Sequence, residues 1–322
     1  MRFCYTGQRM NPQLLQLLRC PQCGAPLLES PLGGGESLAC TSCPAAYPLV
    51  DGLPNLLADA GHPDRTARAF ATQWTLHNQG AFEKDTIYGE TADEELQLFL
   101  ERFGLADAGH LAGQRILDIG CGSGRLTRNL ARACPEALVV GGERSGAVHV
   151  AHARCRELQN ALVAQLDLHA PPFAAETFDL IYADGVIPAI PEPHSGLRSL
   201  DRLLRPGGQM FVWLYPRTFS PYRLVRDLLV RPDRLPHPVQ QALCWGFGVP
   251  LHAAFKIYEP FRGPRRRSLR EVVFMLHDNL TPEFQHRSTP QQLMADFTDL
   301  GYTGVHATGP STGVVGTKKN SG

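Results

Sequence analysis

Leu117-Asp118-Ile119-Gly120-Cys121-Gly122-Ser123-Gly124 is the stretch on which the reading of this chain turns. A short apolar run, QRILDIG at 114–120, meets three alternating glycines and then SGRLTRNLARAC at 123–134, which has helical spacing. The pattern is strand, glycine turn, helix. Such a turn lets backbone approach a ligand closely, and the helix start offers N–H groups without partners inside the helix. A nicotinamide-binding fingerprint would need its third glycine at position 125, which is Arg125. The turn therefore departs from the dinucleotide pattern.

Outward from this turn the chain alternates. ALVVGGE (137–143), ALVAQLD (161–167), FDLIYAD (178–184) and GGQMFVWLY (207–215) read as strands. SGAVHVAHARCREL (145–158) and HSGLRSLDRLL (194–204) read as helices between them. Alternation of this kind predicts an α/β, doubly wound, mostly parallel sheet with helices on both faces. Residues 216–288 break the rhythm with Pro, Arg and aromatic residues, including helical pieces at 222–230 and 270–280. Placed after the fifth strand, this insertion would lie over the edge where doubly wound proteins bind ligands. A helix at 290–301 and strands at 302–308 and 312–318 complete a seven-stranded sheet. Upstream, residues 61–110 read as a helical preface, with Asp93 as the start of a helix carrying Leu96, Phe99, Leu100 and Phe103.

Nine cysteines are present, and four form two C-x-x-C pairs, Cys20/Cys23 and Cys40/Cys43, sixteen residues apart. Two such knuckles supply a closed tetrahedral thiolate set, for which structural zinc is the default. An iron–sulfur cluster is the rival. Residues 10–60 are thus expected to be a zinc ribbon, 61–110 a preface or lid, and 111–322 the main domain.

The 31 basic and 31 acidic side chains balance. That argues against a nucleic-acid partner and leaves a small molecule as the expected one. No apolar run is long enough to span a bilayer, so no membrane partner is expected. No targeting segment is read, which points to the cytoplasm.

The glycine string resembles the first motif of the class I S-adenosylmethionine-dependent methyltransferases. The order of the downstream features supports the likeness: Glu143 at the second strand end, Asp167 and Leu168 at the third, then TFDLIYADGVI and LLRPGGQMFVWLY. The resemblance implies a Rossmann-like fold and S-adenosylmethionine as cofactor. It assigns the cofactor to Asp118, Gly120, Cys121, Gly122, Gly124, Glu143, Arg144, Asp167, Leu168 and Asp184. Within that set Asp118 would face the cationic groups, Glu143 the ribose hydroxyls and Asp167 the adenine amino group. AFATQW (69–74) and FEKDTIYG (82–89) look like the preface of a bacterial subgroup acting on small molecules, in which Trp74 would help close the pocket. CPQCGAPL and ACTSCPAAYPLVDGLPNLL resemble the zinc-ribbon proteins that activate certain RNA and protein methyltransferases.

Three departures stand out. Gly142 precedes the ribose acid where a hydrophobic residue and Asp are usual; Val186, Ile187, Pro188 and Ala189 replace paired histidines; and the C-terminal segment fits loosely. Candidates for a general base are His194, His277, Asp278, His286 and Tyr215. The run Arg265, Arg266, Arg267 and Arg270 reads as either a clamp for an anionic substrate group or a solvated helix start. Two other functions stay open: an RNA or protein methyltransferase recruiting through its ribbon, and a cofactor-binding scaffold without catalysis.

Overall fold

A computed structural model of the chain describes residues 10, 12–30, 36–57, 65–78, 86, 90–217, 221–232, 234–258, 267–309 and 313–320. After a single helical turn, α1 (Pro12–Leu15), four short antiparallel strands surround the paired cysteines. They are β1 (Leu27–Ser30), β2 (Ser37–Cys40), β3 (Ala46–Val50) and β4 (Leu53–Pro54). Two helices follow, α2 (Arg65–Asn78) and α3 (Ala92–Arg102). The cap of α3 is Thr91 rather than Asp93. Thr91 and Glu94 form a reciprocal capping box, so the helix starts where two orphan N–H groups find partners.

The main sheet is built from β5 (Arg115–Ile119), β6 (Leu138–Glu143), β7 (Ala161–Gln165), β8 (Phe178–Ala183) and β9 (Leu204–Trp213). Helices α4 (Arg125–Ala133), α5 (Val148–Cys155) and α6 (Pro193–Leu203) link them. The strand β8, FDLIYA, is buried at every position, as expected of a central parallel strand covered on both faces. α4 turns Leu126, Thr127, Leu130 and Ala131 inward at helical spacing.

Beyond β9 come a two-residue strand β10 (Tyr215–Pro216), α7 (Pro221–Val225), one π-helical turn (Arg226–Val230), α8 (His237–Tyr258) and α9 (Leu269–Leu280). The insertion closes where β11 (Arg287–Ser288) pairs in parallel with β10. Then α10 (Pro290–Asp299), β12 (Tyr302–Thr308) and β13 (Gly313–Lys318) finish the described chain.

The seven strands run in the order β12-β13-β9-β8-β5-β6-β7, with β13 antiparallel to both neighbours. The chain moves outward from β5 to β7, then returns to β8 on the other side of β5. Ligands of doubly wound sheets bind at this switch point, beyond the strand C-termini.

Two cores flank the sheet. On one face Phe99 and Leu100 of α3 and Phe103 just after it pack with Leu126 and Leu130 against Ile116, Leu180 and Phe211. On the other, Leu197, Leu200 and Leu203 of α6 join Leu117, Val140 and Ile181. Leu18, Leu38, Tyr47 and Leu56 from the cysteine-bearing unit belong to this second core. Its backbone is also tied to the sheet: Arg19 N–H donates to Pro172 O at 2.7 Å and Leu56 N–H to Gln165 O at 2.7 Å. The ribbon is thus packed against the sheet edge at β7 and shares a core with the sheet.

Candidate cofactor and acceptor site

At the switch point the turn after β5 runs through Gly120, Gly122 and Gly124, all at positive φ. That region strains any residue with a Cβ. Space is short as well: a Cβ on Gly122 would lie 2.6 Å from the Trp74 ring, and one on Gly120 would lie 2.1 Å from Val186. Trp74 of α2 therefore lies directly on the glycine turn.

Around this turn opens a cavity of about 530 Å³, within the size range of small-ligand sites. Of the residues expected to hold a cofactor, Asp118, Gly120, Cys121, Glu143, Arg144, Asp167, Leu168 and Asp184 line it. Gly122 and Gly124 do not line it; they shape the turn. Gly124 caps α4 and packs against Ala151.

The carboxylates are held in different ways. Glu143 is buried and accepts from Gly122 N–H at 3.1 Å and Ser145 N–H at 2.8 Å. Burial raises its pKa, and those N–H groups pull against the rise. Asp118 accepts from Thr127 Oγ1 at 2.6 Å. Burial pushes its carboxyl up to about 7. Asp167 is paired with Arg144 at 2.7 Å and accepts from His169 N–H.

A second polar wall was anticipated from sequence only at Asp184. Arg102 pairs with Asp184 at 2.7 Å, donates to the Tyr182 hydroxyl and lies over the Phe211 ring. Arg125 pairs with Glu95 at 2.8 Å and donates to Glu90 O. Arg102, Asp184, Tyr182, Arg125 and Glu95 all line the cavity. The partners lie 30 to 82 residues apart in sequence, so no local motif announces them.

The far end is formed by Trp213, Tyr215 and Pro216 with Asp278 and Asn279 of α9. Tyr215 Oη lies 3.4 Å from Asp278 Oδ2. Burial, then the Asp278 charge, raises the Tyr215 pKa well above its ordinary value, so the phenol is protonated and donates. Of the five candidate bases, these two meet in the cavity. The three histidines do not. His194 is exposed in the first turn of α6, and His286 is exposed with its ring stacked on Phe284. His277 is buried between Gln73, Thr281 and His237; burial and His237 hold it down at about 3, so it is neutral. Arg265 and Arg266 lie outside the described residues, as does 82–89 apart from Thr86. Arg267 and Arg270 are exposed and do not line the cavity.

The roof joins preface and insertion. Thr66 Oγ1 accepts from Glu283 and Phe284 N–H groups, and Arg65 donates to Pro232 O. Trp74 and Phe274 meet edge to face.

The fit to S-adenosylmethionine follows from the donor set. Carboxylates end adjacent strands, where hydroxyls and an amine could be received. Leu166, Leu168 and Ile119 offer an apolar slot, and the glycine turn leaves no Cβ in the way.

Away from the cavity, the sulfurs of Cys20, Cys23, Cys40 and Cys43 lie within 4.8 Å of one another. The Cys20–Cys43 and Cys23–Cys40 separations are 3.7 and 3.4 Å. Zinc–sulfur bonds of about 2.3 Å would set the edges of a tetrahedron at about 3.8 Å, so the four thiols fit zinc. Ser42 N–H, donating to Cys40, lowers that thiol to about 6. Among the described residues, no ribbon residue lines the cavity.

Residues 117–212 match the family model described as a methyltransferase domain. Ubiquinone biosynthesis O-methyltransferase of Acinetobacter baumannii (strain AYE) is 32% identical over 106 residues, covering 32% of this chain and 45% of that protein. The enzyme of the same name from Aeromonas salmonicida (strain A449) is 32% identical over 122 residues, covering 37% and 50%. The chain thus spans about half the length of these curated relatives. A solved S-adenosylmethionine-dependent methyltransferase from Aquifex aeolicus superposes with a TM-score of 0.41 at 14% identity, covering 69% of this chain and 96% of that one.

Proposed function

We propose, from the methyltransferase domain at residues 117–212, that this chain transfers a methyl group from S-adenosylmethionine to a small-molecule acceptor. One observation carries the reading. A single cavity at the switch point has Gly120, Glu143, Asp167 and Leu168 at one end and Tyr215, Asp278 and Asn279 at the other. The names of the relatives, O-methyltransferases of a biosynthetic route, favour a hydroxyl acceptor.

Glu143 would hold the ribose hydroxyls by charge-assisted bonds, its carboxylate already fixed by two backbone N–H groups. Asp167 and Leu168 would receive the adenine. When bound, S-adenosylmethionine supplies an electrophilic methyl group on an excellent leaving group. The protein then needs mainly to position the acceptor and take its proton. Asp184 is already paired with Arg102. Asp278, which accepts from the Tyr215 phenol at the far end of the cavity, would be the base, and Tyr215 would orient it and the acceptor oxygen. Trp74 and α9 would exclude water.

The zinc-loaded ribbon is read as structural. It shares a core with the sheet and leaves the cavity walls to other elements, so the recruitment reading gains no support from its position.

Calorimetry with S-adenosylmethionine tests the reading. Binding by the zinc-loaded chain, weakened about tenfold to a hundredfold in Glu143→Ala, is the expected result. No binding by the wild-type chain would remove the proposal in favour of a scaffold.

A further inference from the structure

A helix on a protein surface normally turns charged and polar residues to water. α8 does the reverse. Val239, Ala242, Trp245, Val249, Ala253 and Ile257 recur at helical spacing on its exposed side. Val249 is 57% and Ile257 75% exposed. From 237 to 255 the helix has no Asp, Glu, Lys or Arg. Its opposite side carries Cys244 and Gly248, which pack on α9. The α7 and π-helical segment, which also packs on α9, exposes Leu224, Leu228 and Leu229.

The flanks of this apolar face are strongly basic. Among the described residues of 221–270, seven Lys and Arg stand against one Asp, in a chain whose charges cancel overall. Arg223, Arg234, Lys256, Arg267 and Arg270 are exposed. A second copy of the chain is a poor occupant, because a two-fold interface would set this basic surface against itself. Among the described residues no helix is long and apolar enough to cross a membrane. An apolar helix face with an exposed Trp and basic flanks fits the surface of a bilayer carrying negative charge.

We propose that α8 and the α7–π segment dock this protein, without spanning, onto an anionic lipid surface. The docking face is the outer side of the layer whose inner helix, α9, presents Asp278 and Asn279 to the cavity. The even overall charge conceals this surface.

Flotation of the full, zinc-loaded chain with phosphatidylcholine vesicles containing roughly one third phosphatidylglycerol tests the proposal, with pure phosphatidylcholine as comparison. The chain should float with the anionic vesicles, be released at about 0.5 M salt, and show a blue-shifted Trp emission lost in Trp245→Phe. Val249→Glu with Ile257→Glu should weaken partitioning at least about tenfold. Arg234→Glu with Lys256→Glu should weaken it by about fivefold per charge or more. All four positions are exposed, and an unchanged melting temperature will show that the variants fold. Failure to float with anionic vesicles would overturn the proposal. Flotation that the apolar variants leave intact would do the same, by assigning binding to charge alone. A dimer dispersed by those variants, without vesicle binding, would give the face to a second copy.

Discussion

Replacing Asp118 by Asn should make the protein more stable at neutral pH, and the size of the gain follows from the burial of one carboxyl. Asp118 is 4% exposed, and its carboxyl titrates at about 7 against an ordinary 3.8. A folded-state pKa raised above the unfolded value means that the native state binds this proton more tightly. The associated stability is complete below about pH 4, falls by about 1.4 kcal/mol for each pH unit up to about 7, and stays lost above that. The whole penalty is about 4 kcal/mol. Asn carries no charge and retains an oxygen to accept the 2.6 Å bond from Thr127 Oγ1. Glu143 and Glu95 are shifted in the same direction, so the wild-type curve alone cannot isolate Asp118. The difference between the Asp118→Asn variant and wild type can. Urea unfolding of the zinc-saturated proteins should show that difference growing in favour of the variant by about 2 kcal/mol between about pH 5.5 and 7, then levelling. A difference that stays flat across this range would refute the reasoning. The ligand-binding counterpart has the opposite sense: wild-type affinity for the cationic cofactor should rise with pH through about 7, because ionised Asp118 attracts it.

Other outcomes follow from the same geometry. Removing zinc by chelation, or changing Cys20 to Ser, should open the ribbon, bare Leu18, Leu38 and Leu56, and lower the melting temperature by at least about 5 °C, read by calorimetry. Gly122→Ala should weaken cofactor binding at least about tenfold, since its Cβ would strike Trp74 at 2.6 Å; binding isotherms will show this. Asp278→Asn should lower kcat about a hundredfold or more with little change in cofactor affinity, measured by methyl transfer once an acceptor is in hand.

The glycine turn, the strand–helix alternation and the doubled cysteine knuckles were legible because each is a local pattern with one physical meaning. Glu143 ends its strand and Asp167 lies two residues past the end of the next, so a strand reading alone places both at the sheet's carboxyl edge. What the sequence hid was long-range or locally ambiguous. Asp93 looked like the start of α3, but the T-x-x-E box at Thr91 and Glu94 fixes the end. α8 passes through Gly246, Gly248 and Pro250, residue types that ordinarily weaken or interrupt a helix. Gly248 is there for close approach, since a Cβ would meet Val273 at 2.5 Å. Gly246 and Pro250 both face outward, where water can serve the carbonyl that the proline leaves unpaired. The histidines attracted attention by residue type alone; His277 is buried away from the cavity lining, and His194 and His286 are exposed outside it. The partners of Asp184 in its wall, Arg102 and Tyr182, and the neighbouring pair Arg125 and Glu95, are assembled by the fold of α3 onto the sheet, and no spacing rule encodes them.

The central claim is that the acids ending the second and third strands of the parallel sheet and the glycine turn close around one adenosyl group. A crystal structure of the full chain with S-adenosylhomocysteine measures this directly. The account predicts both ribose hydroxyls within hydrogen-bonding distance of the Glu143 carboxylate and the adenine beside Asp167 and Leu168. A ligand seated elsewhere, or a cavity that stays empty at saturating concentration, would contradict it.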